Sequence, residues 1–529
     1  MKKKTNVLAA VMSAVLFATP AIGGADLIGS SAPRIQLEVM GSYKSGIFDE
    51  SAAEIAAFDR RTARLFVTNA NSNTVDVLDL RTPSAPAKLF TIDMTPFGAG
   101  VNSVALSNGL VAVAVEAAQQ TDPGAVVFFD ADGNYLNSVS VGALPDMLTF
   151  TPNGRHLLVA NEGQPDDSYT IDPEGSVSII TIHGNAREIS QADVATADFR
   201  AFNTQPIDPA IRIYGPGATV AQDLEPEYVA VSADSRTAWV TLQENNALAI
   251  IDIPSAGVTE LVALGSKNYG AAENAFDASN KDGGINIKSW PVSGMYQPDA
   301  IKAYRAEGQT WLVTANEGDS RDYAGFSEEL RVKDLVLDPV AYPDAATLQK
   351  KENLGRLKTT SVGGDIDGDG DVDRILSYGA RSFSIWNEEG ELVFDSGSDF
   401  ERITAAALGN DFNSNNDEND SGDSRSDDKG PEPEGVTIGK VFGRTYAFIG
   451  LERVGGIMVY DISNPRAPQF VQYINNRDFG GDAAAGTAGD LGPEGMLFIP
   501  RGESPTGEPL LVVTNEVSGS TTVYRITRE

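Results

Sequence analysis

The chain has 529 residues, with 40 lysines and arginines against 74 aspartates and glutamates, a formal net charge of −34, two histidines and no cysteine. Disulfides, thiolate zinc sites, iron–sulfur clusters and cysteine nucleophiles are therefore excluded, and His156 and His183 are too few for a zinc or copper centre. The acidity argues against nucleic acid and anionic membranes as partners and for metal cations, while 41% hydrophobic residues suffice for a sizeable core.

Lys2, Lys3 and Lys4 precede an apolar run from Val7 to Ala18 and then the small residues Ala21, Gly23, Gly24 and Ala25. Residues 1–25 read as a secretory leader, because the run is shorter than the roughly 20 apolar residues needed to span a bilayer. The expected mature protein, residues 26–529, is secreted or periplasmic, monomeric and not inserted in a membrane. The C-terminal residues Arg525 to Glu529 read as carrying no anchor.

After the leader one pattern recurs: an acid-led apolar strand, a turn, a second apolar strand ending at Asn or Glu, then a third strand. Weak copies start at Glu54 and Asn102, and the first full copy runs from Pro145-Asp146 through His156 to Glu162 and on to Ile182. Pro226-Glu227 leads to Glu244, Pro298-Asp299 to Glu317, Pro433-Glu434 to Glu452, and Pro493-Glu494 to Glu516. Seven copies of short strands with turn signals between them predict an all-β fold, a seven-bladed β-propeller. Residues before Gly41 read as leader and tail, and the strand near Val523 as the one that closes the ring. Insertions at about 189–223, 265–297 and 319–430 exceed ordinary loop lengths and are expected to cap one face. The last of them, with an outer-strand candidate at residues 374–386, is expected between the fifth and sixth blades.

The acids that open the first strands (Glu54, Asp146, Glu227, Asp299, Glu434, Glu494) predict one ring at a channel mouth. Those that end the second strands (Glu116, Glu162, Glu244, Glu317, Glu452, Glu516) predict another. So many carboxylates in one funnel either hold one another's protons or recruit metal. Oxygen-only ligation selects hard cations, Ca²⁺ first and Mg²⁺ second. Asp365, Asp367, Asp369, Asp371 and Asp373, with Gly370 at the sixth position, match the first part of an EF-hand-type calcium loop. Its twelfth position is Leu376, so a further ligand must come from elsewhere. Arg321, Arg381, Lys429 and Arg453, with Arg425, stand out among scarce basic residues as phosphate-binding candidates beside the acids. The sequence carries no motif for a zinc–thiolate, haem or nucleotide cofactor.

Four stretches, Ala315 to Asp322, Phe276 to Gly284, Gly379 to Ser384 and Arg425 to Gly435, resemble the choice-of-anchor I domain family. That family includes secreted bacterial proteins labelled alkaline-phosphatase-like and mesenchyme-specific cell-surface glycoproteins. The resemblance implies a secreted or surface-anchored propeller, with calcium handling or phosphatase activity in some members. Two functions are expected from these readings. The first is a calcium-dependent phosphoric ester hydrolase acting on a small anionic substrate bridged by metal. The alternative is a non-catalytic calcium-binding propeller for surface, matrix or mineral interaction.

Overall fold

A computed structural model describes residues 34–529, so the leader read at residues 1–25 lies outside the described residues. The described chain is all-β, with seven four-stranded antiparallel sheets. Their first strands are Ala56–Asp59, Gly100–Ser107, Pro145–Phe150, Pro226–Val231, Ile301–Ala306, Pro433–Val441 and Pro493–Ile499.

Packing between the sheets follows from the alternation of side chains across a strand. In the third sheet, Leu157 and Val159 pack against the second sheet, whereas Leu158 and Ala160 pack against the fourth. In the fifth, Leu312 faces the fourth sheet, and Trp311 and Val313 face the sixth. Second strands are thus buried on both faces, which is why they read as unbroken apolar runs. The outermost strands have only one neighbour: Ala87–Asp93 and Gln469–Ile474 are largely exposed or half-buried. Consecutive sheets share a core all the way round, and Leu65 and Val67 of the first sheet meet Leu510 and Val512 of the seventh. This closed, radial stacking is the β-propeller plan.

Two features depart from the sequence reading. The ring is closed from the N-terminal side: Ile35–Lys44 pairs antiparallel with Ser520–Arg528 as the outermost strand of the seventh sheet. Ile35 and Leu37, read as tail, are buried between the sixth and seventh sheets. The long insertion interrupts the fifth sheet rather than following it. Its third strand, Ser382–Asn387, pairs with Gln309–Asn316 and is then covered by Leu392–Asp395. The outer-strand candidate is therefore the third strand of the sheet, with a neighbour on each side, preceded by the short Leu376–Ser377, which joins Ser266–Asn268 and Ser293–Met295 in a separate three-stranded sheet. Tyr269, Phe276, Trp290, Val332, Leu357 and Ile375 give the inserted segments a core of their own. Among the described residues no helix is long and apolar enough to cross a membrane.

Candidate cation site on the propeller axis

The acid at the head of four of the first strands is aimed by a local defect. In four sheets the ladder skips a residue there: Pro145 and Leu148 pair with Asn161 and Val159, and the sheets of Glu227, Glu434 and Glu494 repeat the slip. A bulge frees its residues from the ladder and re-aims their side chains. Leu144, Gln297 and Glu432, each followed by proline, hold φ of 45°, 40° and 49°. That costly conformation turns the chain into the sheet at the acid. The second set of acids is tied to the first. The N–H groups of Glu162, Glu452 and Glu516 donate to the carbonyls of Leu144, Glu432 and Gly492 at 2.9, 2.8 and 2.8 Å. Each such sheet therefore delivers two carboxylates side by side.

A cavity of about 280 Å³ is lined by Asp146, Glu162, Glu227, Glu244, Asp299, Glu317, Asp319, Glu434 and Glu494, together with Tyr228 and Met147, and has no lysine or arginine in its wall; Glu452 and Glu516 lie outside that wall. One Oε2 atom of each of Glu227, Glu244, Glu434 and Glu494 is buried without a hydrogen-bond partner. Burial, reinforced by neighbouring carboxylates, pushes the carboxyls of Glu162, Glu227, Asp299, Glu434 and Glu494 well above the usual range. Burial alone lifts Asp146 to about 6, and burial outweighs the pull of Arg321 on Glu244, which rises to about 7. Glu54 rises to about 8 through burial and the nearby Glu516. Glu116, half-buried at the second sheet, is raised by burial and lies outside the cavity wall. Such oxygens, desolvated and unpaired, suit a hard cation: Ca²⁺ takes six to eight oxygen ligands, and an ion among them offsets the repulsion.

The basic candidates are all committed to protein partners. Arg321 is fully buried, paired with Asp223 and 3.0 Å from Glu225, under the Tyr214 ring. Arg381 spends its guanidinium on Glu401 at 2.6 Å and on the carbonyls of Asp277, Ser426 and Asp428 at 2.9, 2.9 and 2.6 Å, so it binds the inserted segments together. Lys429 reaches Glu317 at 2.6 Å and Glu432 at 3.1 Å, and Arg453 reaches Glu432 and Glu452 at 3.1 Å each. Arg425 pairs with Glu432 at 2.5 Å.

The aspartate loop is different in kind. Its acids divide into two groups, Asp365 with Asp367 and Asp369, and Asp371 with Asp373 and Asp338. A parallel bridge between Leu337 and Val372 draws Asp338 in. Asp338 thus stands beside two acids of the motif from outside it, a placement that only tertiary pairing reveals. Leu376 is buried within a strand. Glu432 and Glu225 were also missed in the sequence, although each precedes a proline-acid pair, Pro433-Glu434 and Pro226-Glu227, and that spacing is a usable signal.

Residues 54–465 match the model of the choice-of-anchor I domain family. Gigasin-3a of Magallana gigas is 32% identical over 194 residues, covering 34% of this chain and 67% of that protein. A mesenchyme-specific cell surface glycoprotein of Strongylocentrotus purpuratus is 27% identical over 279 residues, covering 46% of this chain but only 36% of its own length. Among solved structures, Kuenenia stuttgartiensis hydrazine synthase superposes with a TM-score of 0.46 at 14% identity, covering 91% of this chain and 99% of that one. A streptogramin B lyase gives 0.44 at 10%, covering 94% and 98%.

Proposed function

The chain belongs to the choice-of-anchor I family, and from that premise we propose that it is a calcium-binding protein of the cell surface or extracellular space, without catalytic activity of its own. In this reading the seven sheets are the blades of one propeller domain, the inserted segments cap one face, and the axial carboxylates hold the ion. The observation that carries it is the set of buried, unpartnered oxygens on Glu227, Glu244, Glu434 and Glu494 around one cavity with no basic residue in its wall. Glu162, Asp146 and Asp299 supply further oxygens, and an all-oxygen set favours Ca²⁺ over Mg²⁺, which demands a tighter octahedron. The name of one relative, a cell surface glycoprotein, agrees with this location.

Metal analysis of purified protein, with calcium titration by calorimetry, tests the reading. Bound calcium lost on substituting Glu434→Gln and Glu494→Gln together is the expected result; a chain that binds no divalent ion overturns it. A second reading, a calcium-dependent phosphoric ester hydrolase, draws on Lys429 and Arg453 lying beside Glu317 and Glu452, a pairing of cations and metal ligands that can polarise a phosphoryl group. Both side chains are engaged by carboxylates, so they offer an incoming phosphate little. Turnover of p-nitrophenyl phosphate at alkaline pH that requires calcium and stops with EDTA would replace the first reading with this one.

A further inference from the structure

The axial acids differ in what neutralises them. Glu227, Glu244, Glu434 and Glu494 have buried oxygens with no partner. Glu317, Glu432 and Glu452 each bring one oxygen into a group whose members lie within 4.8 Å of one another, a spacing that suits a divalent ion. Protein cations already occupy that group. The ammonium of Lys429 stands 2.6 Å from Glu317, 3.1 Å from Glu432 and 3.9 Å from Asp319, so three carboxylates ring it. Arg453 bridges Glu432 and Glu452 at 3.1 Å each, and Arg425 holds the other oxygen of Glu432. Glu317 is saturated further by the amide of Gln243 at 3.1 Å.

The backbone, not the ammonium, fixes the central acid. Glu432 lies between Pro431 and Pro433, is fully buried and holds φ at 49°. Removing the lysine head would therefore leave the carboxylates in place around the vacated point. We propose that Lys429 is a tethered cation standing where a divalent ion would otherwise sit, and that it thereby sets how many metal ions the axis takes and where. This deepens the calcium reading above and rests on it: the metal belongs among the unpartnered oxygens, and the Glu317–Glu432 side is closed to it. An ammonium carries one charge on a flexible stem and is a compact substitute for an ion among hard oxygens.

The test counts calcium per chain in the wild type, in Lys429→Ala and in Lys429→Arg, using metal analysis after gel filtration and calorimetric titration with calcium alone. Lys429→Ala should bind one ion more than the wild type, and its melting temperature should rise with calcium more than the wild type's does. Lys429→Arg should keep the wild-type count. A folded Lys429→Ala that binds the wild-type number overturns the inference. If Lys429→Ala does not fold with or without calcium, Lys429→Gln, which keeps most of the stem and removes the charge, decides: it should bind one ion more than the wild type, and the wild-type count overturns the inference. The two readings fail separately. A wild type without calcium beside a Lys429→Ala chain with one ion removes the axial calcium site and keeps the tethered cation; calcium in the wild type with no gain in Lys429→Ala does the reverse.

Discussion

The propeller axis and the loop from Asp365 to Asp373 are both crowded with carboxylates, yet they differ in nearly every property that governs cation binding. On the axis the acids sit on strand ends, aimed inward by bulges, with orphaned oxygens in a cavity. In the loop Asp365, Asp367, Asp369 and Asp373 already accept backbone hydrogen bonds, and Asp371 alone keeps a buried oxygen without a partner. Asp365 takes the N–H groups of Gly368 and Gly370 at 2.7 and 3.0 Å, and Asp373 takes that of Ile366 at 2.7 Å. Asp365, Asp367 and Asp369 are also exposed to water. An exposed carboxylate with backbone donors is at ease without an ion, whereas a buried one without donors is not. A recognisable motif is thus a poorer guide to need than burial and unmet hydrogen bonds.

The largest effect that sharpens this contrast is the response to pH without metal. A carboxyl whose folded-state pKa is raised binds its proton more tightly in the folded chain than in the unfolded one. Stability is then greatest below the ordinary pKa and falls as pH rises through the folded one. With Asp146 at about 6, Glu244 at about 7 and Glu54 at about 8, metal-free protein should lose stability steadily between pH 5 and 8. Each tenfold gain in proton affinity is worth about 1.4 kcal/mol, and these groups interact and are reached by water, so a loss of about 3 kcal/mol is expected. Thermal melts in EDTA across that range should show it, and saturating calcium should flatten it. Melts that rise with pH in EDTA would break the contrast.

Glu434→Gln should come next, weakening calcium binding about 100-fold, or about 2.7 kcal/mol, with the circular dichroism spectrum unchanged. In the loop, Gly370→Ala forces a side chain to φ of 99° and should cost about 1 kcal/mol in denaturant unfolding, through backbone strain alone. Asp367→Asn should be the mildest, within about 0.5 kcal/mol of wild type, since its side chain is exposed. A loop substitution that removed as much calcium as Glu434→Gln would reverse the order of the two regions.

How far the sequence could be read follows from the same physics. The blades were visible because strands sandwiched between neighbours must be apolar on both faces, as Leu157 to Ala160 are. The acids that line the cavity could be picked out because five leading ones, Asp146, Glu227, Asp299, Glu434 and Glu494, follow proline at the same point of the repeat. Local pattern carries no information about partners far along the chain. The pairing of Val39 with Tyr524 joins opposite ends of the chain, so the closing strand passed for a tail. The interruption of the fifth sheet was hidden because its third strand lies beyond an insertion that has its own core. The commitments of Arg381 and Lys429 are likewise tertiary, and a basic residue among acids looks the same in sequence whether it awaits a phosphate or already holds a glutamate.

The pairing of Ile35–Lys44 with Ser520–Arg528 also fixes how the molecule answers a pull. Ile35 faces Arg528, and the N–H of Glu529 donates to the carbonyl of Arg34 at 2.9 Å, so residues 34 and 529 leave the sheet at the same point. Tension applied between them loads the hydrogen bonds one after another, like a zip drawn from its open end, and not all together as in shear. A tether attached at one end only leaves that zip unloaded. As a mechanical element, the ring is therefore sturdy as a terminal head and yielding as a link between two anchored points.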